Sequence, residues 1–181
     1  MLFCDVAVLW TKIEDTGSRL EMAEILSEVL RGAKRAEIAP LVYMSEGILA
    51  PPYEEIELGL GEKLTMRAIS VVSGHSLDSL DSKFRKLGDL GLVAKWACSK
   101  REQMSLAREE LGLLHVYESL VHLAKMEGRG SQDAKIKAVA ELLNSANEDE
   151  AKYIVRFCVG KMRLGIGQPT ILDSVAKIKI P

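Results

Sequence analysis

Two short patterns in the sequence each occur twice, in the same order. Residues 12–18 read Lys-Ile-Glu-Asp-Thr-Gly-Ser, and residues 125–131 read Lys-Met-Glu-Gly-Arg-Gly-Ser. Residues 57–61 read Glu-Leu-Gly-Leu-Gly, and residues 163–167 read Arg-Leu-Gly-Ile-Gly. Each pattern runs into a stretch with helical periodicity, so the chain is expected to contain an internal pseudo-repeat.

The spacing of the two patterns defines the predicted copies. The first pair is separated by 113 residues and the second by 106, so the first copy carries a longer loop, which is easiest to place near Pro51-Pro52. We therefore expect two similar helical units over about residues 1–75 and 114–178, related by a pseudo-two-fold axis. Residues 76–113 have no twin and form the bridge between them.

Glycine-rich turns before helices are suited to binding phosphate. Such a turn presents backbone N–H groups and the positive end of a helix dipole, with no Cβ to block a close approach. Two such turns suit a ligand with approximate two-fold symmetry, and duplex nucleic acid is a ligand of this kind. The alternative is purely structural, because glycine also commonly ends a helix or forms a turn.

Net charge differs between the two parts of the chain. The total is −2, which argues against a generally polycationic binder, but residues 125–181 carry ten Lys and Arg against seven Asp and Glu. If both copies touch a polyanion, the second is therefore expected to hold it more tightly. Basic residues of the second copy replace acidic or neutral ones of the first: Arg163 for Glu57, Lys161 for Glu55 and Arg129 for Thr16.

Cysteine and histidine spacing points away from metal chemistry. The three cysteines lack a C-x-x-C pattern, and their odd number is typical of an intracellular, reduced chain. The three histidines are not at ligand spacing, so no metal site is predicted. No apolar run approaches the roughly 20 residues of a membrane span, so no membrane partner is expected.

Hydrophobic periodicity is helical nearly everywhere, which predicts an all-α fold of about ten to twelve helices. Capping signals give the approximate boundaries. The predicted signals are a Ser18–Glu21 capping box, helix ends at Gly47, Gly74 and Gly88, N-caps at Ser76, Asp89 and Ser131, a helix from Glu148 to about Arg163, and Pro169 as the first residue of the last helix.

No catalytic centre is predicted. The sequence contains neither a G-x-S-x-G elbow nor a Walker lysine motif, and the two Gly-x-Gly turns do not follow a strand as a dinucleotide-binding loop would.

The candidate binding residues are basic residues and glycines. Arg and Lys at helix ends neutralise phosphates, and Arg163 is a candidate for insertion into a minor groove. Lys161 and Arg163 are equally explained as compensating a helix dipole, and Lys135 as part of a solvated face. The candidates are Gly128, Arg129, Gly130, Ser131 and Lys135 around the first helix start, and Lys161, Arg163, Gly165 and Gly167 around the second.

Four ordered motifs, at residues 51–61, 88–94, 128–135 and 161–167, strongly resemble the N-terminal DNA-binding domain of ATP-dependent DNA ligases of the archaeal and eukaryotic type. The resemblance covers nearly the whole chain, and the start at Met1 without a long leader is more typical of archaeal members. It implies an all-helical domain that holds nicked duplex DNA through the minor groove, without sequence specificity. It also implies that the adenylation and OB-fold domains, which perform the chemistry, lie outside this chain.

The resemblance also implies the site and its partners. The nine candidates above would face DNA, and Gly59 and Gly61 would face the opposite side of the nick. Because the chain lacks the K-x-D-G motif of the family's adenylated lysine, we expect it to be non-catalytic alone and to hold no cofactor. The full-length enzyme would use ATP and Mg²⁺, would seal nicks in replication, repair and recombination, and would have a sliding clamp as a further candidate partner. It would be cytoplasmic and nucleoid-associated, or nuclear if eukaryotic.

Two other classes of function fit parts of the sequence. A helical protein-interaction module would suit the negative net charge, but a packing repeat does not need the exchange of Glu57 for Arg163 on a common Leu-Gly-x-Gly frame. A binder of structured RNA is separated from a DNA binder only by the family resemblance.

Overall fold

The computed structural model describes residues 1–54, 56–99 and 110–178. Within these ranges the chain forms ten α-helices, a 3₁₀ turn at Pro52–Glu54 and no β-sheet, so the all-α prediction is confirmed. Glu55 and part of the predicted bridge, residues 100–109, lie outside the described residues. The helices are α1 (Phe3–Glu14), α2 (Arg19–Gly32), α3 (Arg35–Glu46), α4 (Gly61–Ser73), α5 (Leu77–Leu87), α6 (Leu90–Ser99), α7 (Leu113–Ala124), α8 (Ser131–Ser145), α9 (Glu148–Cys158) and α10 (Gln168–Ala176).

Helices from the two ends of the chain pack on one another. Helix α4 packs on α8, while α10 packs on α2; α3 packs on α7, while α9 packs on α1. Exchanging α1–α4 with α7–α10 turns the α4–α8 pair into the α10–α2 pair, and the α3–α7 pair into the α9–α1 pair. This packing supports the proposed pseudo-repeat, and it means that the two copies are interlocked rather than side by side.

The starts of α1 and α7 are joined by reciprocal backbone hydrogen bonds. The amide of Phe3 donates to the carbonyl of Leu111 at 2.7 Å, and the amide of Leu113 donates to the carbonyl of Met1 at 3.1 Å. Because each bond maps onto the other when the copies are exchanged, the proposed axis passes close to this bridge.

Helices α3 and α9 end in the same way. Gly47 and Gly160 are left-handed, with φ of 83° and 67°. The amide of Ile48 reaches back to the carbonyl of Tyr43, and the amide of Lys161 to that of Arg156, five residues earlier in both cases. This Schellman-type bond satisfies carbonyls that the helix leaves open. The prediction that α9 continues to about Arg163 is therefore wrong, because the helix turns off at Gly160.

Several other predicted caps are confirmed, while the signals at Ser18 and Pro169 differ from the prediction. Ser18 accepts the amide of Glu21 as predicted, but the carboxylate of Glu21 bonds to the hydroxyl of Thr16, so the reciprocal half of the box is missing. Pro169 is the second residue of α10 rather than the first. Ser76 and Asp89 accept amides at the starts of α5 and α6, and Gly74 and Gly88 end α4 and α5 in left-handed conformations.

Trp10 is at the centre of one continuous hydrophobic core. Its fully buried ring meets Phe3 and Tyr153 edge-on, with ring centroids 5.7 and 5.2 Å away. Its indole N–H donates to the hydroxyl of Ser45 at 2.9 Å. These contacts connect α1, α3 and α9, so the two ends of the chain share one core.

Helices α6 and α9 pack so closely at Gly91 that no side chain fits there. A Cβ at Gly91 would lie 2.5 Å from Cγ of Arg156 and 2.7 Å from the carbonyl oxygen of Lys152. Gly91 has no left-handed φ, so its requirement for glycine is steric rather than conformational.

We predict that Gly91→Ala lowers the free energy of unfolding by about 1–3 kcal/mol, because the methyl group must push α9 and the Arg156 stem away. The matched control is Gly32→Ala at the end of α2, where nothing lies within 4 Å of the added Cβ. It should leave stability unchanged or slightly raised, since alanine favours helix. Urea unfolding followed by circular dichroism measures both, and equal midpoints would contradict the close packing at Gly91.

Candidate nucleic-acid interface

The segment after α9 alternates between buried and exposed residues. Met162 and Leu164 are 6% and 3% exposed and anchor the segment on the core. The residues between and beyond them face solvent: Lys161, Arg163, Gly165 and Gly167. This alternation of burial occurs although the backbone is not extended, since Arg163 and Gly165 have positive φ values. It places four predicted site residues in one exposed row.

The segment before α4 alternates in the same register. Leu58 and Leu60 are buried, while Glu57, Gly59 and Gly61 are exposed. The repeated Leu-Gly-x-Gly frame therefore has a direct physical meaning. Its apolar positions hold the segment on the core, and its glycines and the residue before them are presented outward.

The turn glycines differ in whether the backbone requires them. Gly59, Gly61 and Gly165 have φ of 44°, 72° and 68°, a region that side chains disfavour. Gly167 has an ordinary φ of −126°, and a Cβ there would have only ordinary contact with Pro169, at 3.7 Å. Neither the backbone nor the packing requires glycine at residue 167, which leaves room for a close approach from outside.

Arg163 is held in an unusual conformation. Its φ of 59° is the only positive value of a non-glycine residue in the described ranges. Such a conformation costs on the order of 1 kcal/mol and persists where surrounding contacts enforce it. The Arg163 guanidinium donates to the carbonyl of Gly88 at 2.8 Å and lies 3.8 Å from the Asp89 carboxylate, with its side chain 48% exposed.

Lys161 connects the two glycine turns. Its ammonium lies 2.9 Å from the carboxylate of Glu62, in the first turn of α4, and both side chains are exposed. Gly59, Gly61 and Gly160 line one cavity of about 420 Å³. The first Leu-Gly-x-Gly turn therefore lies beside the end of α9, which leads into the second. An exposed ion pair contributes little to stability, so Lys161 can exchange Glu62 for another anion at small cost.

The turn before α8 is exposed and lacks a side-chain cap. Gly128 and Gly130 are left-handed, with φ of 89° and 81°, and Arg129 between them faces solvent. The prediction that Ser131 caps α8 is wrong: Gly130 occupies the cap position, and Ser131 is the first helical residue. The left-handed glycine starts the helix one residue earlier than the sequence indicates, and the serine hydroxyl does not cap an amide.

This turn and residues 161–167 are both exposed, but in the described part of the chain no hydrogen bond or ion pair joins them. Lys135, one turn into α8, is half-buried rather than fully solvated. Within the same part, no group of His, Cys, Asp and Glu is arranged to hold a metal ion. No described helix is long and apolar enough to cross a membrane.

A buried charge cluster lies on the core side of residues 161–167 and is hydrogen-bonded to this segment. Arg156, only 2% exposed, donates from Nε and Nη2 to Asp89 Oδ2, at 3.0 and 2.6 Å. Its Nη1 and Nη2 donate to the Glu14 carboxylate at 2.9 and 2.8 Å, and Nη1 also reaches the carbonyl of Met162 at 3.4 Å. Asp89 Oδ1 meanwhile accepts the amide of Gly91 and caps α6. One guanidinium therefore joins α1, the start of α6 and the exposed segment.

The cluster shifts the titration of its carboxyl groups. Burial alone would raise the pKa of Glu14, but hydrogen bonds from Arg156 and Lys152 outweigh it and lower the pKa to about 2. Burial opposes ionisation of Asp89 in the same way, and the hydrogen bond from Arg156 again holds its pKa below the usual range. Both groups therefore remain charged and paired across the neutral range.

Comparison with known proteins identifies the family. The family described as DNA ligase N terminus matches residues 2–176. The chain belongs to this family. It is 38% identical over 177 residues to DNA ligase 2 of Korarchaeum cryptofilum and 39% identical over 176 residues to a DNA ligase of Cenarchaeum symbiosum, with 98% and 97% of this chain covered. A probable DNA ligase of the bacterium Dictyoglomus thermophilum is 38% identical over 181 residues, covering 99% of this chain.

This ligase N-terminal domain spans about 30% of the length of those relatives. The buried charge cluster around Arg156 was not predicted from the sequence. Asp89 was predicted only as a cap, and neither Arg156 nor Glu14 was singled out. The available signal was the place of Arg156 among apolar residues in a stretch of helical periodicity, because a buried charge needs a partner.

We predict that Glu14→Gln flattens the acid side of the domain's stability profile. Because the folded pKa of Glu14 lies below its ordinary value of 4.5, its contribution is complete above that value and is lost as the pH falls toward 2. Glu14→Gln should lower the free energy of unfolding at pH 7 and reduce its loss between about pH 5 and pH 3. Exposed Glu28 supplies the control, Glu28→Gln. Parallel profiles for all three proteins would contradict the assignment.

Proposed function

We propose that this chain is the DNA-binding domain of an ATP-dependent DNA ligase and holds nicked duplex DNA through its phosphates and minor groove, without reading sequence. The observation that carries the proposal is the exposed row at residues 161–167, in which two basic residues and two glycines face outward from a rigidly anchored segment. Membership of the ligase N-terminal family supports it, and so do relatives named as DNA ligases.

Arg163 is the central contact in this proposal. Its backbone is set by the strained turn, and one edge of its guanidinium is fixed on Gly88. A side chain that is ordered before binding loses less entropy when it meets a phosphate or a minor groove. Lys161 adds charge by exchanging Glu62 for a phosphate, and Gly165 and Gly167 let the DNA backbone come close.

The remaining candidates form two further contacts. Gly128, Arg129, Gly130 and Ser131 form the exposed turn at the positive end of the α8 dipole, with Lys135 one turn behind, as a second phosphate-binding turn. Asp133 in the first turn of α8 makes this contact weaker than the first. Gly59 and Gly61 face the opposite side of the nick, where the exposed carboxylates of Glu57 and Glu62 disfavour direct phosphate contact.

The complete enzyme supplies the chemistry in this proposal. A lysine in the adenylation domain would take AMP from ATP with release of pyrophosphate, and AMP would pass to the 5′-phosphate with release of the lysine. The 3′-hydroxyl would then attack this phosphate and expel AMP, and Mg²⁺ would neutralise the phosphates. This domain contributes affinity and orientation, so that the adenylation and OB-fold domains close on a positioned nick. A sliding clamp is a candidate partner of the whole protein, which acts in the cytoplasm at the nucleoid, or in the nucleus of a eukaryote.

The isolated chain is expected to bind nicked duplex DNA without sequence preference and to have no ligase activity. Its affinity should fall steeply with salt, with each neutralised phosphate contributing about −0.9 to the slope of log K against log salt concentration. Fluorescence anisotropy over a salt series, with two unrelated duplex sequences, measures this. Salt-independent binding would contradict the proposal, as would covalent AMP after incubation with ATP and Mg²⁺. No binding at all would favour a protein-interaction module.

Substitutions at Arg163 separate its side chain from its backbone. Arg163→Ala should weaken binding by about 1 kcal/mol and reduce the salt slope by about one unit. Arg163→Gly should lose the same affinity but be more stable than Arg163→Ala, because glycine tolerates the positive φ. Glu57→Ala should leave binding unchanged or slightly tighter.

Thermal unfolding of the same variants supplies the control for these measurements. If Arg163→Ala lowers the melting temperature while Arg163→Gly binds nicked DNA as tightly as the parent, the side chain serves the fold alone. The assignment of Arg163 to DNA would then be wrong, whatever the other turns do.

A further inference from the structure

The end of α5 lies beside the exposed row, although its segment has no twin in the repeat. The carbonyl of Gly88, directly after α5, accepts the hydrogen bond from Arg163 at 2.8 Å. Arg85 and Lys86 are in the last turn of α5 and both face solvent. With a rise of about 1.5 Å per residue, Lys86 is only about 3 Å from Gly88 along the helix axis.

The basic residues of α5 differ in how strongly they already contact other side chains of the protein. The ammonium of Lys83 lies 4.9 Å above the ring of Trp96, which holds this side chain on α6. Arg85 pairs with Asp81 at 2.8 Å across one helical turn, but with 79% and 43% of the side chains exposed, such a pair is weak. Lys86 has no carboxylate within ion-pairing distance in the described ranges.

The carboxylate of Asp89, next to this helix end, is neutralised by the buried guanidinium of Arg156. The Asp89 side chain is 5% exposed, and its carboxylate is bonded to Arg156 with Arg163 beside it. It therefore does not offset Arg85 and Lys86 at the surface. Lys161, Arg163, Arg85 and Lys86 together make this edge basic, in a chain whose first 124 residues carry a net negative charge.

We propose that the end of α5 is a third phosphate-binding element, in which Lys86 and Arg85 contact the duplex strand next to the phosphate or groove reached by Arg163. This inference rests on the proposed DNA-binding function and adds two residues of the bridge to its surface. Each strand of a duplex carries one phosphate per 3.4 Å or so of helix axis, so a duplex lying on residues 161–167 brings more than one phosphate near this edge.

Compensation of the α5 dipole is the competing role for these residues. Lysine and arginine in the last turn of a helix stabilise its negative end, and Asp78 in the first turn does the same at the other end. That role changes stability and leaves DNA affinity alone, whereas phosphate contact changes affinity and its salt dependence. The two roles therefore have different measurable consequences.

The test compares anisotropy titrations of a nicked duplex with Lys86→Ala, Lys86→Glu and the pair Arg85→Ala/Lys86→Ala in the 181-residue chain. The matched control is Arg35→Ala. Arg35 is equally exposed, but it starts α3 at the end away from Gly47, the residue that packs against Met162. Lys86→Ala should weaken binding about fivefold and reduce the salt slope by about one, and Lys86→Glu should weaken it further. Arg35→Ala should match the parent.

Including Arg163→Ala separates the failure of this inference from failure of the proposed function. If Arg163→Ala weakens binding while the Lys86 variants bind like Arg35→Ala, the third element is wrong and the DNA-binding function stands. If the parent chain does not bind nicked duplex, the proposed function fails first. A lower melting temperature for Lys86→Ala with unchanged affinity and salt slope would assign Lys86 to the helix dipole and overturn the inference.

Discussion

The Arg156 guanidinium is the contact on which the candidate surface depends. It is buried, and it bonds at once to Glu14 of α1, to Asp89 at the start of α6 and to the carbonyl of Met162. Removing one partner of such a cluster leaves an uncompensated buried charge, at a cost of about 3–5 kcal/mol. The cluster therefore fixes the exposed row relative to the rest of the fold, so binding is expected to orient DNA against a rigid frame.

Helices from one end of the chain pack on helices from the other end, and this packing brings the proposed binding elements together. Because α4 packs on α8 and α10 on α2, each glycine turn lies against helices of the other predicted copy. The Lys161–Glu62 pair and the shared cavity at Gly59 and Gly160 are direct consequences. On this surface the basic turn of one predicted copy lies near the acidic turn of the other. We therefore expect a duplex to be held more tightly by the basic turn, although the duplex itself is pseudo-symmetric.

The surface combines strain with rigidity. Arg163 adopts a conformation that glycine would adopt more easily, and its side chain is held by the carbonyl of Gly88. Gly167 shows the reverse, since glycine there is required neither by its backbone nor by packing. Arginine therefore stands where the backbone disfavours it, and glycine where the fold does not need it. In the proposed function, both residues contact the DNA backbone.

The sequence by itself determined the helical class, most caps and the Leu-Gly-x-Gly frame, because periodicity and capping depend on neighbours within a few residues. It also pointed to the family through ordered motifs. The sequence misplaced the end of α9 and the cap of α8, where left-handed glycines changed the path of the chain by a few residues. Only the tertiary structure decided that Arg156 pairs with Asp89 and Glu14, 67 and 142 residues away, and that α5 ends beside Arg163. Such pairings depend on how helices pack, and helix packing brings together residues that no local pattern connects.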